Sequence, residues 1–429
     1  MNKPFCIVWI LFTLLSLHRV AFSAENLTAS TISLDEATTL ALQANPQLAV
    51  ALRGREVESG QALQAGVRPN PTLSAEIEDL RSRYRNSTLL ISQQLETAGK
   101  RDMRMAAADA SLAIADADIA IAKAETSAKV YAAFYQVLAA QQSQTLATEL
   151  LQIATVSKET SAKRVLAGKV SPVEETKAKV AEAGAKIELA NANQQLATAK
   201  KRLSSLWGKG LDSSKSAFTA TGELENFKAL PTLNDLMAQL PASPQLKKAN
   251  LAITQKQAFS NIEKAKQTPD VTLSLGARRN EELGGITQAI FGLSIPIPLF
   301  DKNQGGFQSA KAREMQSLDE KTVLENQLAT ELADAYARRQ TQVEASIIYK
   351  NDILQGAQSA YEAARKGFEF GKFSFLEVLD AQRTLFQAKT QHIQALALAH
   401  QAEADIQSIL GLSNGDESVK NESNKKELP

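Results

Sequence analysis

The residues of this 429-residue chain that could carry chemistry are few. Glu377 and Asp380 lie three apart, so on a helix both carboxylates share one face. His392 and His400 are eight apart, two helical turns, whereas a metal site needs nearer partners such as a four-residue spacing or clustered carboxylates. Met103, Met105, Met237 and Met315 form no soft-metal ladder. Cys6 is the only cysteine, and it lies inside an N-terminal apolar run. No Ser nucleophile elbow, phosphate-cradling Gly loop or His-Glu metal helix is present. These residues argue against an enzyme, a resident metal and a cofactor. The formal net charge of +1 gives no reason to invoke nucleic acid as a partner.

The N-terminus reads as a secretory signal over residues 1–23. Lys3 supplies the positive start, Phe5 to Leu17 the apolar core, and Ala21-Phe22-Ser23 a small-x-small cleavage site. Its removal takes Lys3 and Arg19 and no acid, so the charge becomes +1 − 2 = −1. Cys6 leaves with it, which removes any disulfide, thiolate metal site or Cys nucleophile. No later run reaches the roughly 18 to 20 unbroken apolar residues of a spanning helix. An exported chain of this kind is periplasmic, secreted or an outer-membrane β-barrel.

The elements that must position Glu377 and Asp380 fall into two classes. The first is two strand–loop–strand stretches, Pro71–Leu95 and Asp270–Pro298. Leu73, Ala75 and Ile77 alternate with Thr72, Ser74, Glu76 and Glu78, and Leu89 and Ile91 oppose Thr88 and Ser92. Val271, Leu273, Leu275 and Ala277 alternate likewise, and the return strand puts Ala289, Phe291, Leu293, Ile295 and Ile297 on one side. Period two gives each strand one apolar and one polar face. Four strands cannot close a barrel, for which about eight is the practical minimum. They form a soluble sheet, or several copies of the chain pool them.

The second class is long Ala-rich helices. Hydrophobic content is 44% but aromatic content only 5%, which suits close helical packing better than a thick globular core. Ser33-Leu34-Asp35-Glu36 reads as a capping box opening a helix to about Val67, broken near Asn45-Pro46. A run without Pro or Gly extends from Arg101 to Leu166, roughly 100 Å of helix. Gly168-Lys169-Val170-Ser171-Pro172 turns the chain, and Ser171 to Glu174 reads as a further capping box. The returning helix reaches about Trp207, with Val173, Val180 and Ile187 at heptad spacing. The pattern then recurs. Ser243-Pro244 echoes Asn45-Pro46, Pro269-Asp270 echoes Pro69-Asn70, and Gly371-Lys372-Phe373-Ser374 echoes Gly168-Lys169-Val170-Ser171, the offset growing from 198 (243 − 45) to 203 (371 − 168). The expected organisation is a first repeat over 24–207, a linker over 208–230, a second repeat over 231–412 and a disordered tail over 413–429. The fold class is mainly α with a small β part: a duplicated helix, strand, strand, long helix, helix unit.

Leu34-Asp35-Glu36-Ala37 through Asn45-Pro46, Arg68-Pro69-Asn70-Pro71-Thr72-Leu73, Ser92-Gln93-Gln94-Leu95 with Ala98-Gly99-Lys100-Arg101, and Gly371-Lys372-Phe373-Ser374 through Glu377-Val378-Leu379-Asp380-Ala381-Gln382-Arg383 resemble, in order, the outer-membrane efflux proteins of the TolC type. The run Ala167 to Thr176 is most similar to the subgroup serving cobalt–zinc–cadmium pumps. The resemblance implies a homotrimer in the outer membrane of a Gram-negative bacterium. A twelve-stranded barrel in lipid would continue as a helical barrel across the periplasm, fed by an inner-membrane RND pump through a periplasmic adaptor. It implies adaptor docking at the tips, Gly168, Lys169 and Ser171 with Gly371, Lys372 and Ser374, which otherwise simply turn the chain. It implies a periplasmic gate at Asp380 and Glu377, where three chains would set carboxylate rings that attract cations. The plainer reading makes Glu377 the capping partner of Ser374 and Asp380 a solvated charge. Arg81, Arg83 and Arg85 would sit in an external loop, solvated on the plainer reading and in contact with anionic lipopolysaccharide on the other, and the aromatic girdle is thin. The cargo is metal ions, drugs or a type I secreted protein. A periplasmic helical adaptor and a structural coiled coil are the rival classes.

Overall fold

The computed structural model describes residues 30–208 and 218–412. The expected signal segment and tail lie outside the described residues, as does 209–217 of the expected linker.

Each half begins with a bent pair of helices. In the first, Ser33 and Glu36 form the predicted capping box at the start of α1 (Leu34–Ala44). Asn45 ends α1 and starts α2 (Pro46–Ala65): its Oδ1 accepts from the Gln47 and Leu48 N–H groups at 2.8 and 3.2 Å, and its Nδ2 donates to the Leu206 carbonyl at 2.8 Å. The side chain thus caps the start of α2 and ties it to the end of a distant helix, while the Asn45 backbone N–H closes α1 on the Ala41 carbonyl.

Two antiparallel strand pairs follow the two helical entries. β2 (Thr72–Glu78) and β3 (Asn86–Leu95) belong to the first half, β5 (Val271–Asn280) and β6 (Ile286–Ser294) to the second. All four join one antiparallel sheet in the order β2-β3-β5-β6. Its register aligns Leu73 with Ile91, Ile91 with Leu275, and Leu275 with Phe291, so the apolar residues of all four strands form one continuous face. The strands are shorter than the stretches read from sequence. Ile295 and Ile297 lie beyond β6, because Pro296 and Pro298 cannot donate to a ladder.

From the sheet the chain enters α3 (Lys100–Leu166), 67 residues without interruption, and returns through α4 (Pro172–Ser205). Ser171 caps α4 through the Val173 N–H at 3.3 Å, without the reciprocal Glu174 bond of a capping box, so that expectation is half met. The second half runs through α5 (Leu233–Gln239), a short 3₁₀ turn, and α6 (Pro244–Ala265) to the sheet, then α7 (Gln304–Ile348), α8 (Leu354–Glu369) and α9 (Phe375–Leu410). Tyr349–Ile353 between α7 and α8 is π-helical, a break absent from α3.

The stretch expected as a linker carries structure over its described part. β4 (Phe218–Ala220) pairs in parallel with β1 (Ser30–Ile32), and Phe218, Ala220 and Leu224 are buried against α3. Local polarity suggested a linker, but these apolar side chains find their partners nearly 190 residues away. The Gln141 side chain on α3 donates to the Ala220 carbonyl at 3.0 Å and accepts the Ala220 N–H at 2.9 Å, occupying the other edge of β4. Gly208 and Gly411 close the two halves alike: a Cβ would sit 2.6 Å from the Ala44 carbonyl in one and 2.4 Å from Pro244 Cδ in the other.

Candidate functional site

The candidate surfaces lie at the two ends of the long helices. At one end stands the sheet. Leu73, Ile77, Leu89, Ile91, Leu275 and Phe291 are all more than half exposed on its apolar face. An apolar face of that extent on an open sheet marks a surface meant for an apolar phase. Both end strands, β2 and β6, have one unpaired edge, which is incompatible with lipid unless another strand covers it. The opposite face carries Ser74, Glu76, Ser92, Ser274, Arg278 and Gln288; Arg278 donates to Thr88 Oγ1 at 3.1 Å, and Ser92 and Ser274 share a bond of 2.9 Å.

The joint between sheet and helices is polar and half-buried. Lys100 Nζ lies 2.6 Å from both Asp270 Oδ1 and the Thr268 carbonyl, with the side chains of Lys100 and Asp270 11% and 18% exposed. Asp270 also accepts from the Thr97 N–H at 3.0 Å and Gln94 at 2.9 Å. Burial alone would raise the Asp270 carboxyl, but Lys100, Thr97 and Gln94 hold it below the usual carboxylate range. The corresponding joint of the second half uses Asn303 instead, whose amide donates to the Glu263 carbonyl and carboxylate at 2.9 and 2.7 Å.

At the other end are the hairpin tips. Gly168 and Gly371 take positive φ, +66° and +74°. After them Lys169 N–H donates to the Arg164 carbonyl at 2.9 Å, and Lys372 N–H to the Gly367 carbonyl at 2.8 Å. These are matching Schellman closures, and left-handed φ is why both turns carry glycine. The structure brings the two tips together: the Arg164 guanidinium lies 4.3 Å from the Phe368 ring centre, and Ala178 of α4 packs with Phe368 and Phe375. Lys169, Ser171, Lys372 and Ser374 are all exposed. Nothing in the sequence paired Arg164 with Phe368; the contact depends on which hairpins meet.

The two acids differ. Glu377 accepts the Ser374 N–H at 2.6 Å in a complete capping box. Asp380 is exposed on the same helix, and its carboxylate makes no hydrogen bond or ion pair among the described residues.

The histidines sit at mid-height of the helices. His400 is fully buried, stacked on Tyr135 at 3.5 Å and Phe227 at 4.4 Å between ring centres. Its Nε2 faces the Leu224 carbonyl at 2.9 Å, which can only accept, so Nε2 carries the proton and Nδ1 accepts from the Tyr131 hydroxyl at 3.0 Å. Burial pushes the imidazole down to about 4, in keeping with this neutral form. His392 lines an open groove of about 650 Å³ with Glu149 and Lys389. Among the described residues no group of three or more His, Cys, Asp or Glu could hold a metal ion, and no helix is long and apolar enough to cross a membrane.

The family model for outer membrane efflux proteins matches residues 37–209 and 238–412. The cobalt-zinc-cadmium resistance protein CzcC of Cupriavidus metallidurans is 37% identical over 383 residues, 89% of this chain and 91% of that protein. Among solved structures, the outer membrane protein VceC of Vibrio cholerae superposes with a TM-score of 0.74 at 22% identity, covering 89% of this chain and 96% of that one. The open state of the MtrE outer membrane channel of Neisseria gonorrhoeae superposes with a TM-score of 0.74 at 20% identity, covering 88% of each chain. With the family model covering both halves and a 37% identical relative covered over nearly its whole length, the chain belongs to the outer membrane efflux protein family.

Proposed function

We propose that three copies of this chain assemble the exit duct of a tripartite efflux system for heavy-metal cations. The observation that carries the reading is the sheet: four strands, one apolar exposed face, and an open edge at each end. Pairing β6 of one copy with β2 of the next removes every edge at twelve strands, apolar outside and polar inside. The long helices continue this wall into the periplasm, and a periplasmic adaptor docks at Gly168, Lys169 and Ser171 with Gly371, Lys372 and Ser374, joining the duct to an inner-membrane RND pump. Asp380, exposed and unpaired, forms the periplasmic gate ring, with Glu377 one turn away bound into its cap. The name of the 37% identical relative, a cobalt-zinc-cadmium resistance protein, supports divalent metal cargo.

Native mass spectrometry of the mature protein in detergent is expected to give a three-chain mass. A single-chain particle, monodisperse without detergent, would overturn the duct. In planar bilayers Asp380→Ala should raise conductance or weaken block by multivalent cations, and an unchanged channel would remove Asp380 from the gate. A strain lacking the protein should become sensitive to cobalt, zinc or cadmium; sensitivity to organic drugs alone would reassign the cargo.

A further inference from the structure

The end of the sheet remote from the helices carries a group of arginines that the duct itself does not use. The strand alternation divides two of them. Arg278 falls on the polar face and bonds Thr88 at 3.1 Å. Arg279 falls on the apolar face, next in the row of Leu273, Leu275 and Ala277, directly opposite Ser87, and its side chain is 59% exposed. A cation that ends an apolar row marks the level where hydrocarbon gives way to headgroups.

The adjoining loop, residues 79–85, supplies more. Arg81 pairs with Asp79 at 2.5 Å and lies 5.1 Å from the Tyr84 ring centre. Arg83 and Arg85 are exposed, and their guanidinium groups make no ion pair or hydrogen bond among the described residues. Leu80 and, on the facing loop, Leu283 are 89% and 53% exposed. The two loops touch, with Glu281 N–H donating to the Arg85 carbonyl at 3.1 Å. Glu281 is spent on Arg279 at 2.8 Å, which leaves as opposing carboxylates exposed Glu282 and, at the end of β2, Glu78, which among the described residues accepts only from the Asn86 amide at 3.3 Å.

We infer that Arg83, Arg85 and Arg279 form a rim that binds the phosphorylated headgroups of lipid in the outer leaflet. A guanidinium presents paired N–H donors that match phosphate oxygens, and the neighbouring leucines suit the chains of the same amphiphile. This ligand class fits both halves of the surface: a free anion would leave Leu80 and Leu283 in water, and a neutral lipid would leave Arg83 and Arg85 without a partner. The inference rests on the membrane placement of the sheet but not on the cargo or the gate.

The test uses the full mature protein in nanodiscs containing either bisphosphorylated or dephosphorylated lipid A. Lipid retained after detergent exchange is counted by native mass spectrometry. The wild type should retain the bisphosphorylated lipid, and the triple variant Arg83→Gln, Arg85→Gln, Arg279→Gln should retain it about tenfold less or weaker still. Glu282→Gln should strengthen retention. Equal retention of the two lipids by the wild type, or no loss in the triple variant, overturns the proposal. Displacement by millimolar inorganic phosphate overturns the lipid assignment in favour of a free-anion site. Conductance and heat stability of each variant serve as the folding control; should the triple variant fail them, Arg83→Gln alone, wholly within the loop, is expected to show a smaller loss, and none would sink the rim. Loss of the three-chain mass in the wild type would instead strike at the duct.

Discussion

α4 and α9 are the same element of the two repeats, and the chain treats them in opposite ways. Of the 34 residues of α4, the buried ones are mostly alanine at heptad spacing, Ala178, Ala185, Ala192 and Ala199, while Val173, Val180 and Ile187 stand 58%, 68% and 62% exposed. In α9, Phe375, Leu385, Leu396, Ile406 and Leu410 are buried, and α9 packs against α3, α7 and α8. With Ser171 and Ser374 as the common cap, 203 residues apart (374 − 171), buried Leu396 and His400 correspond to exposed Asn193 and Ala197. Duplication preserved the backbone plan, while the side chains made one return helix the protomer's centre and left the other at its margin. Exposed Val180 and Ile187 leave an apolar row that a neighbouring copy would cover in the proposed assembly.

That contrast can be broken most severely in α9. Phe375→Ala or Leu396→Ala should cost the protomer about 3 to 5 kcal/mol by leaving a void among large neighbours. Val180→Ala should change protomer stability by less than about 0.5 kcal/mol and act instead on the assembly. Urea unfolding against the heat resistance of the three-chain band on gels separates the two. Equal effects in both assays would remove the distinction between centre and margin.

The next effect is in pH. His400 is depressed to about 4 from an ordinary 6.5, so its contribution to stability is complete above 6.5 and fades as the pH falls toward 4, roughly 3 kcal/mol in all. Ala197, its counterpart, has no ionisable side chain and no such pH dependence. Asp270, also depressed, acts below that window: its contribution is present above the usual carboxylate range and is lost as the pH falls through its lowered value. Unfolding midpoints between pH 7 and 4 should fall in the wild type and be flatter in His400→Phe.

Smallest is the difference between the caps. Ser374→Ala removes a full capping box and should cost about 1 kcal/mol, Ser171→Ala about half as much, since it loses only the Val173 bond. Equal losses would show that the reciprocal Glu377 bond adds nothing.

Much of this was legible from residues alone because it is local. Alternation marked the strands, Gly168 and Gly371 the turns, and Pro46 with Pro244 the elbows, and the repeat of these signals exposed the duplication. What stayed hidden depends on contacts distant in sequence. Phe218 and Leu224 lie in a polar stretch, and only β1 and α3 explain them. The heptad row of Val173 reads as a buried seam until the structure turns it outward. The π-helical segment has no Pro or Gly to announce it. His400 reads as an ordinary helix residue until Tyr135 and Phe227 close over it. In the candidate site, Glu377 has the capping role and Asp380 the solvated state that the plainer reading gave them.

The carboxamide of Gln141 meets Ala220 as a neighbouring peptide unit would, giving and taking one bond each. It is a decoy one residue long. A two-stranded ribbon that bares its backbone invites any extended chain to join it, and a secretory compartment is crowded with chains not yet folded. Gln141→Leu should leave that flank of the β1–β4 ribbon open, and Gln141→Glu should keep the acceptor yet lose the donor.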